Sequence, residues 1–167
     1  MNTSVVSVGI DVGKSKLDVA CMHQDMKMVH QVFNNNVKGI RSLRLFLKRQ
    51  RTAGTVPCTL EATGMYHFLV SLSLSEAGYR VNCVNPIITK KYMKATIRDA
   101  NSDKIDCQRI AELGYHETQL QQFTATRDDI ADKGTALRAR AARNVATATR
   151  GSHRTHERDA GDVRSPD

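Results

Sequence analysis

This 167-residue chain has no tryptophan and three prolines, and no run of about 18 apolar residues occurs in it. The lack of such a run argues against a transmembrane helix. The amino terminus also lacks a basic segment followed by an apolar segment, so no secretory signal peptide is expected. We therefore expect a cytoplasmic protein with no membrane partner.

The four cysteines form no CxxC pair, and no histidine stands beside them at zinc-ligand spacing. This spacing excludes the common zinc motifs, and a reducing cytosol disfavours disulfides. Three of the four fall in predicted strands, where a free cysteine behaves as a small hydrophobe. We expect reduced, structural thiols at Cys21, Cys58, Cys83 and Cys107.

Positive charge is in excess: the chain has 25 Lys and Arg against 17 Asp and Glu, a net charge of +8 and a pI of about 9.6. This balance favours a polyanion as partner. Nucleic acid is favoured over a membrane surface, because no basic amphipathic helix with exposed aromatics stands out.

The composition changes near residue 126. All eight aromatic residues precede this point, and the 41 residues after it contain eight Arg and one Lys. Large apolar residues also become sparse there, so this part cannot build a second core. We expect one domain over residues 1–126 and an Ala- and Arg-rich tail over 127–167, helical at first and then disordered.

Alternation and helical periodicity predict five strands and four helices. The strands are predicted over 5–10, 16–21, 28–33, 56–60 and 80–84. The helices are predicted over 37–51, from Met65 to the glycine at 78, from 85 to 98, and from Asp103 to Leu113 with Gly114 ending it. Three leading strands followed by β-α crossovers form a mixed sheet with flanking helices. That order is typical of a ribonuclease-H-like α/β fold.

Acidic side chains stand at the ends of two predicted strands and at the start of the last helix. Asp11 follows the first strand and Glu61 follows the fourth, so both project at one edge if these strands are neighbours. Asp103 and Asp106 share one face of a first helical turn. Taken singly, each acid is better explained by an ordinary structural role: a strand-end aspartate forms turns, Glu61 can pair with a lysine, and acids are common in the first turn of a helix.

Together, four converging carboxylates would repel one another unless cations lay among them. Mg²⁺ or Mn²⁺ takes oxygen ligands, and two such ions can clamp a phosphodiester. We therefore predict a metal-dependent catalytic site at Asp11, Glu61, Asp103 and Asp106. Asp18, by alternation, points away from its apolar neighbours and is predicted to lie on the surface.

A basic cluster precedes this last helix. Lys90, Lys94 and Arg98 follow a four-residue spacing on one helix face, and Lys91 widens it. Like charges on one face cost stability, so contact with nucleic-acid phosphates is predicted, with plain solvation as the equal alternative. A second basic stripe is interpreted as a solvated face: Lys38, Arg41, Arg44 and Lys48.

Four segments resemble the N-terminal domain of the insertion sequence 110 family of transposases, which includes related site-specific DNA invertases. They are residues 9–14, 60–66, 84–86 and 102–111, within a resemblance over about 5–126. The resemblance implies a RuvC-like domain whose DEDD tetrad maps onto the four carboxylates above. It also implies a multimeric, homo-oligomeric recombinase that binds donor and target DNA, often with a structured guide RNA.

Members of that family continue through a coiled coil into a C-terminal domain with a nucleophilic serine. This sequence stops at Asp167 and its tail has no heptad pattern. We therefore expect a truncated or frame-shifted copy that does not transpose alone. A heptad pattern past codon 126 in another reading frame would support the frameshift, and its absence from both would refute it.

Two alternatives remain open from the sequence. An actin- or sugar-kinase-type ATP-binding fragment also opens with a Gly-Ile-Asp-x-Gly hairpin, but the second phosphate hairpin and the adenosine loop are not found. A non-catalytic nucleic-acid-binding remnant would regulate a full-length relative through shared subunit contacts. ATP binding would favour the first alternative.

Overall fold

The structure is a computed structural model that describes residues 4–62, 64–95 and 102–125. Arg98 and the predicted tail over 127–167 lie outside the described residues. The elements in chain order are β1 Val5–Val12, β2 Lys16–His23, β3 Met28–Asn34, α1 Val37–Arg49, β4 Pro57–Glu61, α2 Phe68–Glu76, β5 Arg80–Val84, α3 Pro86–Ala95 and α4 Asp103–His116. No helix in this described part is both long and apolar enough to cross a membrane.

The five strands form one mixed sheet in the order β3-β2-β1-β4-β5. The β1–β2 and β2–β3 pairs are antiparallel, whereas β1–β4 and β4–β5 are parallel. This arrangement confirms the predicted ribonuclease-H-like fold. It also places β1 in the centre, with its carboxyl end beside that of β4.

The larger core lies on the sheet face covered by α1 and α2. Alternate residues of the strands point into it, including Ile10 of β1 and Leu60 of β4, which are fully buried. Leu43 and Leu47 of α1 close this core from the other side. These positions repeat with the two-residue period of the strands and with the helical period of α1, as expected for the buried face of each element.

The opposite face is covered by α4, whose backbone lies directly on the sheet. A Cβ added at Gly9 would lie 2.0 Å from the carbonyl oxygen of Cys107 and 2.3 Å from the amide nitrogen of Ala111. The hydroxyl of Ser7 donates a hydrogen bond of 2.7 Å to the carbonyl of Ala111. Small residues on β1 therefore let the helix approach closely.

The prediction that Gly114 ends the last helix was wrong, because α4 continues to His116. A Cβ at Gly114 would lie 2.1 Å from the hydroxyl oxygen of Thr59 on β4. This glycine thus serves close packing on the sheet and not helix termination. Gly78, by contrast, has a φ of 83° and follows α2 at the predicted position.

The predicted start of α2 was wrong. Met65 lies in a turn and is 51 % exposed, and the helix begins at Phe68. Its fully buried apolar residues include Val70 and Leu74, whereas Leu69 and Leu72 are half-buried. Apolar residues of α2 itself lie on all sides of the helix, so their spacing in the sequence did not indicate which side is buried.

Candidate metal centre

Three acidic side chains meet where β1 ends beneath the first turn of α4. Asp11 is the penultimate residue of β1 and lies on the same sheet face as Gly9, on which α4 packs. Asp103 and Asp106 lie in the first turn of α4. One carboxylate oxygen from each of the three aspartates lies within 4.8 Å of the other two.

The start of α4 is set by a side-chain cap. The Ser102 hydroxyl accepts a hydrogen bond of 3.3 Å from the backbone N–H of Ile105. This cap begins the helix at Asp103, and the three-residue spacing then places Asp106 on the same side. The amino end of a helix also favours nearby negative charge.

Glu61 lies one strand away on the same face. Leu60 is opposite Ile10 in the parallel β1–β4 register, so the next residues, Glu61 and Asp11, end neighbouring strands side by side. The Glu61 carboxylate does not belong to the group of three defined above. It accepts a hydrogen bond of 2.6 Å from the hydroxyl of Thr89, a residue of α3 that is 1 % exposed.

Burial and mutual repulsion raise the pKa values of Asp11 and Asp106. Burial, as the largest cause, and the charges of Asp103 and Asp106 together raise the pKa of Asp11 from 3.8 to about 6, with smaller effects of Asp18 and Glu61. Burial also raises the pKa of Asp106, although the Arg109 charge opposes the shift. A cation among these carboxylates would relieve the repulsion.

Asp18 is buried, which corrects the prediction that it lies on the surface. It is 4 % exposed and pairs directly with Asp11 in the antiparallel register of β1 and β2. Its carboxylate contacts Nε2 of His30 at 3.0 Å and Nζ of Lys16 at 3.1 Å. Alternation correctly separated Asp18 from the larger core, but it did not reveal that α4 covers the opposite face.

Lys16 is a cation beside the acidic group that was not predicted from the sequence. Its ammonium group donates to the carboxylates of Asp103 and Asp18. The hydrogen bond to Asp103 is the main cause that raises the pKa of Lys16, followed by the one to Asp18. A tethered positive charge therefore stands at the edge of the acidic group.

The basic cluster predicted before α4 is described only in part. Lys90 and Lys91 are exposed on α3, next in sequence to Thr89, which holds Glu61. The side chain of Lys94 and all of Arg98 lie outside what the structure describes. Whether the four cations share one face stays a prediction.

The residues present fit a hard divalent cation. The converging donors are carboxylate oxygens, which Mg²⁺ and Mn²⁺ prefer. The side chain of Asp103 is 53 % exposed, so an ion can enter from solvent. The contact of Lys16 with Asp103 shows that a positive charge is accommodated at this carboxylate.

Fold and site together define a ribonuclease-H-like domain with an acidic group at the end of its central strand. The sequence matches the family of DEDD transposases of insertion sequence 110, described as transposase, over residues 8–158. Because this match spans most of the 167 residues, the chain belongs to that transposase family. The matched range extends past residue 126, where the composition changes.

A search of the curated proteins found no match. Two solved structures of Thermus thermophilus RuvC, one of them in complex with a Holliday junction substrate, are similar to the chain at 15 % identity. Each alignment covers 70 % of this chain and 98 % of RuvC, with TM-scores of 0.48 and 0.49. At these values the likeness gives no information on activity.

Proposed function

We propose that this chain is a metal-dependent DNA transposase domain that acts on phosphodiester bonds. The observation that carries the proposal is the meeting of Asp11, Asp103 and Asp106 within 4.8 Å, in a member of a transposase family. Glu61 completes the set of four ligands from the neighbouring strand. Mg²⁺ or Mn²⁺ is the proposed cofactor.

Different elements of the fold position the proposed ligands of the ion. Asp11 is half-buried near the end of the central strand, whereas Asp103, which is exposed, and Asp106, which is half-buried, both lie in the first turn of α4. Thr89 orients Glu61 by its hydrogen bond. A bound divalent ion would supply activation of the attacking oxygen and stabilisation of the leaving oxygen of a phosphodiester.

DNA is the proposed substrate because the family is one of transposases and because the chain is basic overall. A net charge of +8 favours association with the phosphate backbone. Lys90 and Lys91 are exposed on α3, beside the residue that orients Glu61, and are proposed to contact phosphates near the carboxylates. Guide RNA and homo-oligomer assembly are further parts of the family proposal.

The decisive experiment is calorimetric titration of Mn²⁺ into the full 167-residue chain and its variants. Asp11→Asn and Asp106→Asn should each weaken binding, because each removes one negative oxygen ligand. Asp25→Asn is the matched control, since Asp25 pairs with Lys27 in the β2–β3 turn, at the other end of β2 from the acidic group.

Equal Mn²⁺ affinity in all four proteins would refute the carboxylate site. A folded wild-type chain that binds duplex DNA but no Mn²⁺ would instead be the non-catalytic remnant considered above. Binding of ATP in place of either ligand would favour the kinase-type alternative.

A further inference from the structure

Helix α1 carries an uncompensated positive surface on the side away from the core. Between Asp25 and Glu61 the sequence contains seven Lys and Arg and no acidic residue. Five of the seven belong to α1: Lys38, Arg41, Arg44, Lys48 and Arg49. Within the described parts of the chain, none of these five forms an ion pair.

Helix stability does not account for this charge. Lys48 and Arg49 lie in the last turn, where the helix dipole favours cations. Arg41 and Arg44 lie in the middle of the helix, where the helix dipole does not favour cations. Like charges three or four residues apart repel each other, so the surface is destabilising unless an anion binds to it.

Three of these cations line a groove of about 320 Å³ between α1 and α2, called here the α1 groove. Its lining residues are Val37, Arg41, Arg44, Leu45, Lys48 and Ser73. None of these is acidic, and Ser73 adds a hydroxyl donor. Arg41, Arg44 and Lys48 extend about 10 Å along the helix axis, which is close to the length of duplex axis that four successive phosphates of one DNA strand span, at about 3.4 Å each.

The α1 groove and the carboxylates lie on opposite faces of the sheet. Ile40, Leu43 and Leu47 attach α1 to the larger core, whereas α4 and its aspartates cover the other face. A DNA segment positioned at the carboxylates therefore leaves the α1 groove accessible. Transposition joins two DNA segments, so a second binding surface has a chemical purpose.

We propose that the α1 groove binds the phosphate backbone of a second duplex DNA segment, distinct from the one at the carboxylates. The proposal rests on the proposed function, which supplies the need for two segments. The groove has no aromatic lining residue, so the base stacking that holds single strands is missing. Arginine, lysine and hydroxyl donors instead suit contacts to phosphate, which are independent of sequence.

The test compares two triple variants of the full chain with equal loss of charge. The groove variant is Arg41→Gln, Arg44→Gln, Lys48→Gln. The control variant is Lys27→Gln, Arg49→Gln, Arg51→Gln, at exposed cations that do not line the groove. Circular dichroism and Mn²⁺ titration should show that both variants fold and bind metal as the wild type does.

Fluorescence anisotropy with labelled duplex DNA is then measured in chelator over a range of salt concentrations. The groove variant should bind at least about 10-fold more weakly than the control variant, with a salt slope smaller by about three. With a duplex of about one helical turn, roughly 10 bp, sedimentation should show two duplexes per wild-type chain and one per groove-variant chain.

Equal DNA affinity of the two variants would overturn the proposal, as would one duplex per chain in both. Loss of hairpin-RNA binding with unchanged duplex binding would also overturn it. If one of these outcomes is found and Mn²⁺ still binds the wild-type chain, the groove proposal is rejected and the proposed function is retained. A wild-type chain that binds no Mn²⁺ would instead reject the proposed function, whatever the groove variant does.

Discussion

Replacing Gly9 with alanine should separate α4 from the sheet and thereby damage the acidic group. The new Cβ would lie 2.0 Å from the carbonyl oxygen of Cys107 and 2.3 Å from the amide nitrogen of Ala111. Carbon–oxygen contacts in proteins begin near about 3.3 Å. The helix must therefore shift by roughly 1 Å, and overpacking of this kind costs about 1–3 kcal/mol of unfolding free energy.

The shift has a second consequence, because Asp103 and Asp106 begin the helix that moves. Mg²⁺ and Mn²⁺ ligands must be placed close to ideal geometry, so a displacement of roughly 1 Å relative to Asp11 is severe. We expect the Mn²⁺ affinity of Gly9→Ala to fall by about 10-fold or more, the range seen when support of metal ligands is lost. Urea denaturation measures the first effect and calorimetry the second.

Gly39→Ala is the matched control. A Cβ at Gly39 would lie 2.0 Å from the carbonyl oxygen of Asn34, an overlap of the same depth, but on the face covered by α1. This variant should lose similar stability and keep its Mn²⁺ affinity. The reasoning is refuted if Gly9→Ala stays within about 0.5 kcal/mol of wild type, or if both variants lower the metal affinity alike.

Three further changes test the site. Lys16→Met should strengthen Mn²⁺ binding relative to Lys14→Met, because it removes the ammonium group that pairs with one proposed ligand; unchanged or weaker binding would contradict this. Because the pKa of Asp11 is raised from 3.8 to about 6, its folded form holds a proton that the unfolded form has lost, so the metal-free chain should lose stability as the pH rises between these values. Asp11→Asn should reduce that pH dependence in denaturant titrations, leaving the smaller part that the raised pKa of Asp106 contributes, and an unchanged dependence would assign it elsewhere. Thr89→Val should weaken Mn²⁺ binding several-fold while Thr89→Ser retains it, since serine keeps the donor to Glu61; equal loss in both would mean that the hydroxyl does not position the carboxylate.

Local patterns were enough to predict the order of elements and most of their bounds. Strand alternation is a property of neighbouring residues, so Ile10 and Leu60 were predictable as core positions. Asn36 and Ser102 cap their helices, and such caps are local features because each needs only a side chain three residues before the amide that it accepts from. Asp11 and Glu61 were candidates for the same reason: each follows an apolar run at a strand end.

Long-range packing decided the rest. Gly114 looked like a helix end and Asp18 like a surface residue, since neither pattern tells which face of a sheet another element covers. The contact of α4 with Gly9 buries Asp18 and brings Asp103 to Lys16, two residues 87 positions apart in the chain. Alternation assigns residues to faces, but the identity of the partner on each face depends on the summed packing of distant segments, which exists only in the folded chain.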